Sequence, residues 1–318
     1  MKKILITGAS GFIGSFLVEK ALEMGWETWA GIRKTSSREY LKDTRIRFID
    51  LNYSNKEILK QQIQSHVAEQ GKWDYIIHNA GVTKCVQVSD FHTVNYQYTA
   101  NFIDVLQDVE NRPEKFILMS SLSAIFPGTA YGLSKLKAEQ YLQSCSNIPY
   151  TIMRPTGVYG PREMDYYLML KTVKAGFEVT AGFKPQRLTF IYVKDLVQAV
   201  FLALESNLTE KIYAVSDGET YTDAEYAKSV KKVLGKKLVL RIKVPLFLLY
   251  IVSVFSGFIG KISGKPSTLN KDKYQIMKQR DWSCSIQPLV DDLRFHPEYD
   301  LEKGLKACVE WYKQNKWL

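Results

Sequence analysis

Tyr131-Gly132-Leu133-Ser134-Lys135 sets a phenol and an ammonium four residues apart, on one face of any helix that contains them. A free phenol, with a pKa of about 10, is a poor proton carrier at neutral pH. A neighbouring ammonium favours the ionised form and brings the phenol toward its working range. Such a pair can take a proton from an alcohol or give one to a carbonyl. Just upstream, an apolar run ends in Met119-Ser120-Ser121-Leu122-Ser123. A serine hydroxyl there can hold the reacting oxygen and stabilise its developing charge. Ser121 is the first candidate, and Ser123 can take its place. The Y-x-x-x-K spacing recurs elsewhere in the chain, at Tyr167/Lys171 and Tyr274/Lys278 among other places. Neither follows a strand that ends in serines, and both are expected to be helix-surface pairs.

The elements that position this set begin at the amino end. Lys2–Thr7 reads as a short buried strand, Gly8, Gly11 and Gly14 as a tight turn, and Phe12–Glu23 as a helix. Strand, glycine turn and helix make a site for a dinucleotide pyrophosphate, with the unpaired N–H groups of the helix start aimed at the phosphates. Contacts are expected from Gly8, Ser10, Gly11, Phe12, Ile13 and Gly14. Strands follow at Glu27–Arg33, Arg45–Asp50, Asp74–His78, Lys115–Ser120 and Tyr150–Arg154. Helices are expected at Lys56–Gln70, Asp90–Val109 and Ala130–Cys145. This alternation predicts an α/β fold of Rossmann type, a doubly wound parallel sheet over residues 1–160. One last strand and helix, within 188–205, are expected to return to it. Residues 161–187 and 206–318 read as a smaller, mostly helical substrate lobe.

The second strand closes as Ala30-Gly31-Ile32-Arg33-Lys34, with no carboxylate to receive a ribose 2′-hydroxyl. Arg33 can instead pair a 2′-phosphate, so NADP(H) is preferred, with NAD(H) possible. Asp50 and Leu51, after the third strand, are expected near the adenine, and Lys135 can bond the nicotinamide ribose.

The chain of 318 residues carries a formal charge of +10. It has no arginine-rich run and no nucleic-acid motif, so its lysines read as a dispersed, solvated surface with no nucleic-acid partner. The apolar stretch 246–259 is too short to span a membrane. A core helix or the wall of an apolar substrate pocket is preferred there over a helix lying on a membrane surface. Cys85, Cys145, Cys284 and Cys308 are scattered, which argues against a metal site and against disulfides. Lys2 and Lys3 precede only three apolar residues, so no secretory signal is read and a cytoplasmic location is expected.

Taken in order, these motifs resemble an extended short-chain dehydrogenase/reductase of the NAD-dependent epimerase/dehydratase family. The matching residues are Thr7-Gly8-x-x-Gly11-x-x-Gly14, Asn79-Ala80-Gly81, Ser121, Tyr131-x-x-x-Lys135 and Arg154-Pro155. Asn95, Thr99, Asn101 and Tyr192-Val193-x-Asp195-Leu196 match as well. The resemblance implies Ser121, Tyr131 and Lys135 as the catalytic triad, with Asn95 as a structural or proton-relay member. It implies cofactor contacts at Asn79, Ala80, Gly81, Asn95, Tyr131, Lys135 and Pro155. It further implies a homodimer that pairs the 90–109 and 130–145 helices. Dehydratases of the family carry Asp-Glu after the catalytic Ser or Thr, where this chain has Leu122-Ser123. The diphosphate-binding arginine of the sugar-nucleotide epimerases aligns with Leu188, one residue from Arg187. These departures point to the reductase branch, similar to dihydroflavonol reductases and 3β-hydroxysteroid dehydrogenases. The expected substrate is then a small, moderately apolar carbonyl or alcohol. A nucleotide-sugar 4-epimerase or 4-ketoreductase is the alternative, and a cofactor-bound protein without turnover a third reading.

Overall fold

The computed structural model describes every residue except Pro127, Ser146 and Thr268. Its first half alternates as the periodicity requires: β1 (Lys3–Thr7), α1 (Phe12–Glu23), β2 (Glu27–Gly31), β3 (Arg47–Ile49), α2 (Lys56–Gln70), β4 (Tyr75–His78), α3 (Tyr98–Leu106), β5 (Lys115–Met119), α4 (Ala130–Ser144) and β6 (Tyr150–Pro155). Next come β7 (Gly157–Tyr159), α5 (Met164–Lys174), β8 (Phe177–Ala181), β9 (Arg187–Leu188), β10 (Phe190–Tyr192), α6 (Val193–Glu205) and β11 (Lys211–Val215). The chain closes with β12 (Tyr221–Thr222), α7 (Asp223–Val233), β13 (Leu240–Val244), α8 (Leu246–Ser263), α9 (Lys271–Lys278), α10 (Gln287–Leu293) and α11 (Leu301–Gln314).

Seven strands form one sheet in the order β11-β6-β5-β4-β1-β2-β3, the doubly wound Rossmann arrangement. Ile4, Leu5 and Ile6 of β1 are wholly buried, as a strand covered on both faces must be. The parallel register sets Thr7 opposite both Gly31 and His78, and His78 opposite Leu118. The chemistry-bearing residues that follow these strands therefore emerge along one sheet edge.

Two compact units divide the chain, residues 1–154 with 197–213, and residues 155–196 with 214–318. The first holds a core of Leu5, Trp73, Phe102, Phe116 and Ile152 among others. The second is held by an aromatic cluster that includes Tyr159, Phe190, Tyr226 and Tyr312. The last strand of the large sheet is β11, beyond the 188–205 stretch expected to supply it. β10, within that stretch, pairs instead with β7. In the second unit the Asp195 carboxylate accepts from the N–H groups of Glu298 (3.2 Å) and Tyr299 (3.0 Å), which gives that motif an anchoring role. Tyr167 and Tyr274 are buried, against the expectation of surface pairs. Tyr167 donates to the Trp317 carbonyl, and Tyr274 packs on the Tyr250 ring.

Candidate active site

The phosphate cradle is built by close backbone approach. A Cβ on Gly14 would lie 2.1 Å from the Gly8 carbonyl oxygen, so only glycine lets α1 start this near the strand. Gly8 sits at φ +64°, and a Cβ there would strike the backbone of Ala80 at 2.9 Å. Gly11 is the exposed N-cap of α1 and offers no side-chain cap. The first N–H groups of α1 are thus left for an anion, with the half-buried Ser10, Phe12 and Ile13 around them. A dinucleotide pyrophosphate fits this cradle.

Thr7 joins the cradle to the next strand. Its hydroxyl accepts from the N–H groups of Asn79 (3.1 Å) and Ala80 (3.0 Å), and Asn79 Nδ2 donates to the Gly8 carbonyl at 3.4 Å. With both N–H groups accepted, the Thr7 hydroxyl donates to Nδ1 of His78 at 3.0 Å. Nε2–H of His78 then donates to Thr99 Oγ1 at 3.0 Å, and Thr99 donates to the Asn95 carbonyl at 2.9 Å. Burial, aided by the charge of Lys135, pushes His78 down to about 3, so the ring is neutral and this relay has one direction. Sequence reading placed His78 only as the end of a strand. The signal it offered was a polar residue closing an otherwise apolar run.

Asn95 lies on a π-helical segment, Phe91–Gln97, that precedes α3. The single α-helix expected over Asp90–Val109 is therefore two segments. Asn95 Oδ1 accepts from Val82 N (2.8 Å), and its Nδ2 donates to the Val82 carbonyl (3.0 Å) and to Ser134 Oγ (3.1 Å). Asn95 thereby ties the segment after Asn79-Ala80-Gly81 to α4. A Cβ on Gly81 would meet Asn95 Oδ1 at 2.9 Å and Lys135 Nζ at 3.3 Å.

Thr129 caps α4 by accepting from Gly132 N at 2.9 Å. Gly132 lets that first turn approach the short 3₁₀ turn Leu122–Ile125, since a Cβ would lie 2.3 Å from the Ser123 carbonyl oxygen. This contact brings Tyr131 to Ser121, and their hydroxyls are hydrogen-bonded. Ser121 also accepts from the backbone N–H of Ser123 at 3.2 Å. The Tyr131 ring packs edge-on to Phe91, with centroids 5.8 Å apart.

The electrostatics depart from the sequence expectation. Burial raises the Tyr131 phenol above its ordinary value, and the bond from Ser121 draws it part of the way back. Lys135 Nζ donates to the Met119 carbonyl at 2.9 Å, and burial lowers its ammonium to about 8, opposed by the charge of Glu139. Burial thus favours the neutral phenol. Glu139, one turn beyond Lys135, is fully buried and gripped by Arg154, whose Nε and Nη2 donate at 3.0 and 2.5 Å, and by the Ser120 hydroxyl. The sequence reading passed over this pair. Its signal was a glutamate continuing the four-residue spacing Tyr131–Lys135–Glu139.

Arg33 is exposed just past β2. Asp50 is exposed after β3 and accepts from Lys34 N at 3.1 Å, while Leu51 is buried. Arg38 stacks on Phe48, its guanidinium 4.0 Å from the ring centroid. Pro155 is buried at the end of β6.

A family model described as the NAD dependent epimerase/dehydratase family matches residues 4–216. The chain belongs to this family. It is an extended short-chain dehydrogenase/reductase and, like its family, a nicotinamide-dependent hydride-transfer enzyme. Among curated relatives it is similar to a ceramide reductase of Caulobacter vibrioides, 23% identical over 99% of this chain and 96% of that protein. It is also similar to a putative UDP-glucose 4-epimerase of Methanocaldococcus jannaschii, 24% identical over 98% and 99%. Among solved structures, the UDP-glucuronic acid 4-epimerase of Bacillus cereus in complex with NAD shares the fold, with a TM-score of 0.76 at 20% identity over 98% and 99%. The UDP-glucose 4-epimerase of Thermotoga maritima with UDP-glucose gives 0.75 at 22% over 99% of both.

Alkaline pH tests the family's lysine in this chain. If Tyr131 is the proton donor in carbonyl reduction, its phenol becomes a phenolate, for which the Lys135 ammonium is the expected stabilising charge. That ammonium is present below about 8 and lost above it. The kcat/KM for reduction is therefore expected to fall as pH rises through about 8. A rate that stays level to the free-lysine range of about 10.4 would contradict the assignment.

Proposed function

We propose that this enzyme reduces, and in reverse oxidises, a moderately apolar carbonyl/alcohol substrate, with NADP(H) preferred. The observation that carries the reading is the composition of the site around the Ser121–Tyr131 pair. The pair is followed by the buried Leu122, where the dehydratases it resembles place a carboxylic acid. Hydroxyls and an ammonium suffice for hydride exchange at a carbonyl, whereas eliminating water requires a further acid and base. A bound nicotinamide supplies or accepts the hydride at the carbon. Tyr131 gives its proton to the carbonyl oxygen, Ser121 holds that oxygen, and Lys135 stabilises the phenolate left behind. A phenol raised by burial suits the role of acid, the reductive direction. The likeness to a ceramide reductase supports an apolar substrate.

The likeness to nucleotide-sugar 4-epimerases favours a second reading, in which the same groups exchange hydride at a sugar C4. Against it, Arg187 pairs with Asp281 at 3.6 Å and Leu188 stands at the position expected of a diphosphate clamp. For the nucleotide, Arg33 stands exposed beyond β2 with no carboxylate ending that strand, which supports a 2′-phosphate contact. The solved neighbour with its nucleotide holds NAD.

One assay series tests both points. NADPH oxidation is expected with long-chain or polycyclic ketones, together with little thermal shift from UDP- or dTDP-sugars. A large shift with a nucleotide diphosphate and no ketone turnover would establish the second reading. Arg33→Ala is expected to weaken NADPH relative to NADH by about 1.5–3 kcal/mol, the worth of a charge-assisted hydrogen bond. Equal losses for both nucleotides would remove the 2′-phosphate role.

A further inference from the structure

α8 is the most apolar helix of the chain, and it is not a core element. Phe247, Phe255, Phe258, Ile259 and Ile262 are each 62–72% exposed. Spacings of three and four place Phe247, Ile251, Phe255, Phe258 and Ile262 on one face, with Leu249, Ser253 and Gly260 buried on the other. The expectation of a core helix for 246–259 therefore fails. Its periodicity signal was real, but the broad apolar face is turned outward. The ribbon that leads into α8 adds to this surface. β8 and β13 pair Phe177 with Leu240 and Val179 with Ile242, and all four are exposed.

The charge of the chain sits in the same place. Residues 236–280 contain ten Lys and Arg and one acidic residue, Asp272, a net of +9. The whole chain carries 43 basic and 33 acidic residues, so everything outside this segment holds 33 against 32, a net of +1. The excess is concentrated around α8 rather than dispersed as first read. Arg241 is engaged by Glu178 and Asp223, and Lys273 by Asp165. Lys243, Lys261 and Lys265, exposed at the two ends of α8, pair with no carboxylate among the described residues.

We propose that α8 and its flanking lysines form a docking surface for an anionic lipid bilayer, with the helix lying in the plane of the interface. An apolar face rimmed by lysines is the pattern of an interfacial helix. The way the helix is held argues against spanning. After Gly264 (φ +65°) the chain turns back along α8, so that Ser267 bonds Ser256 at 2.6 Å and Asn270 Cβ lies 3.8 Å from where a Gly257 Cβ would be. α9 continues this return, with Tyr274 on Tyr250. By length and composition alone α8, about 27 Å over 18 residues, could cross a bilayer core of roughly 30 Å, so it is the return of the chain along it that favours lying in the interface. A second copy fits less well. Two-fold pairing through this face would set one lysine cluster against another, whereas an anionic surface complements it.

Flotation of the full chain with vesicles tests the proposal without any substrate. The protein is expected to float with phosphatidylcholine/phosphatidylglycerol vesicles, and to partition roughly tenfold less with phosphatidylcholine alone or at high salt. Phe255→Glu/Phe258→Glu places charges on an exposed face, so folding and the thermal shift given by NAD(P)H are expected to persist while flotation is lost. A wild-type protein that stays at the bottom of the gradient with anionic vesicles would overturn the proposal. So would a variant that floats as well as wild type. A non-floating wild-type dimer that the two substitutions convert to monomer would reassign the face to a second copy. Because the readout is partitioning, a negative result here leaves the carbonyl reading intact, and a failed ketone assay leaves this one intact.

Discussion

Tyr131→Phe is expected to lower hydride exchange by roughly 10²- to 10⁴-fold, the usual contribution of a positioned general acid. Dinucleotide affinity is expected to stay nearly unchanged. The substitution removes one oxygen and keeps the ring, so the packing on Phe91 and the approach of Gly132 to Ser123 persist. The pyrophosphate cradle of Gly8, Gly11 and Gly14 lies on other elements and does not depend on the phenol. Steady-state rates together with a nucleotide titration separate the two effects. Retained activity with a weakened nucleotide site would remove Tyr131 from the chemistry and make it a binding residue. Ser121→Ala adds a direct check on the hydroxyl pair. It takes away the bond that draws the phenol downward, so the tyrosine becomes a weaker acid and reduction slows.

Much of the site was legible because it is local. The glycine turn, the Tyr–Lys spacing and the serines after β5 each occupy a few consecutive residues, and a parallel sheet brings strand ends to one edge whatever their distance in sequence. α1 and α2 have the bounds their patterns predict. The elements that sequence reading misplaced depend on longer-range choices. The Asn95 amide bonds Val82 twice, thirteen residues earlier, and Ser134 once, thirty-nine residues later, and the π-helical segment carries it. The direction of the Lys135 side chain toward Met119 could not be read from an i,i+4 spacing that equally allows a turn toward Tyr131. Periodicity gave α8 an apolar face but not what that face meets, because a core and a lipid surface demand the same side chains.

Arg154→Met is expected to destabilise the fold by about 3–5 kcal/mol, since it leaves the fully buried Glu139 carboxylate without its partner. That is a large share of a total stability of about 5–15 kcal/mol, and denaturant unfolding would register it directly. Glu139→Leu/Arg154→Met replaces the pair by apolar side chains and is expected to regain most of the loss, as buried ion pairs commonly do. A single variant that unfolds like wild type would show that the pair holds nothing together. The double variant also separates stability from catalysis. The charge of Glu139 acts to hold the Lys135 ammonium up against burial, so removing it lowers that ammonium further. The alkaline limb of reduction should then move below about 8 in a protein that is otherwise well folded. A limb that stays in place would leave burial alone in control of Lys135, and Glu139 with Arg154 as ties between α4 and β6 only.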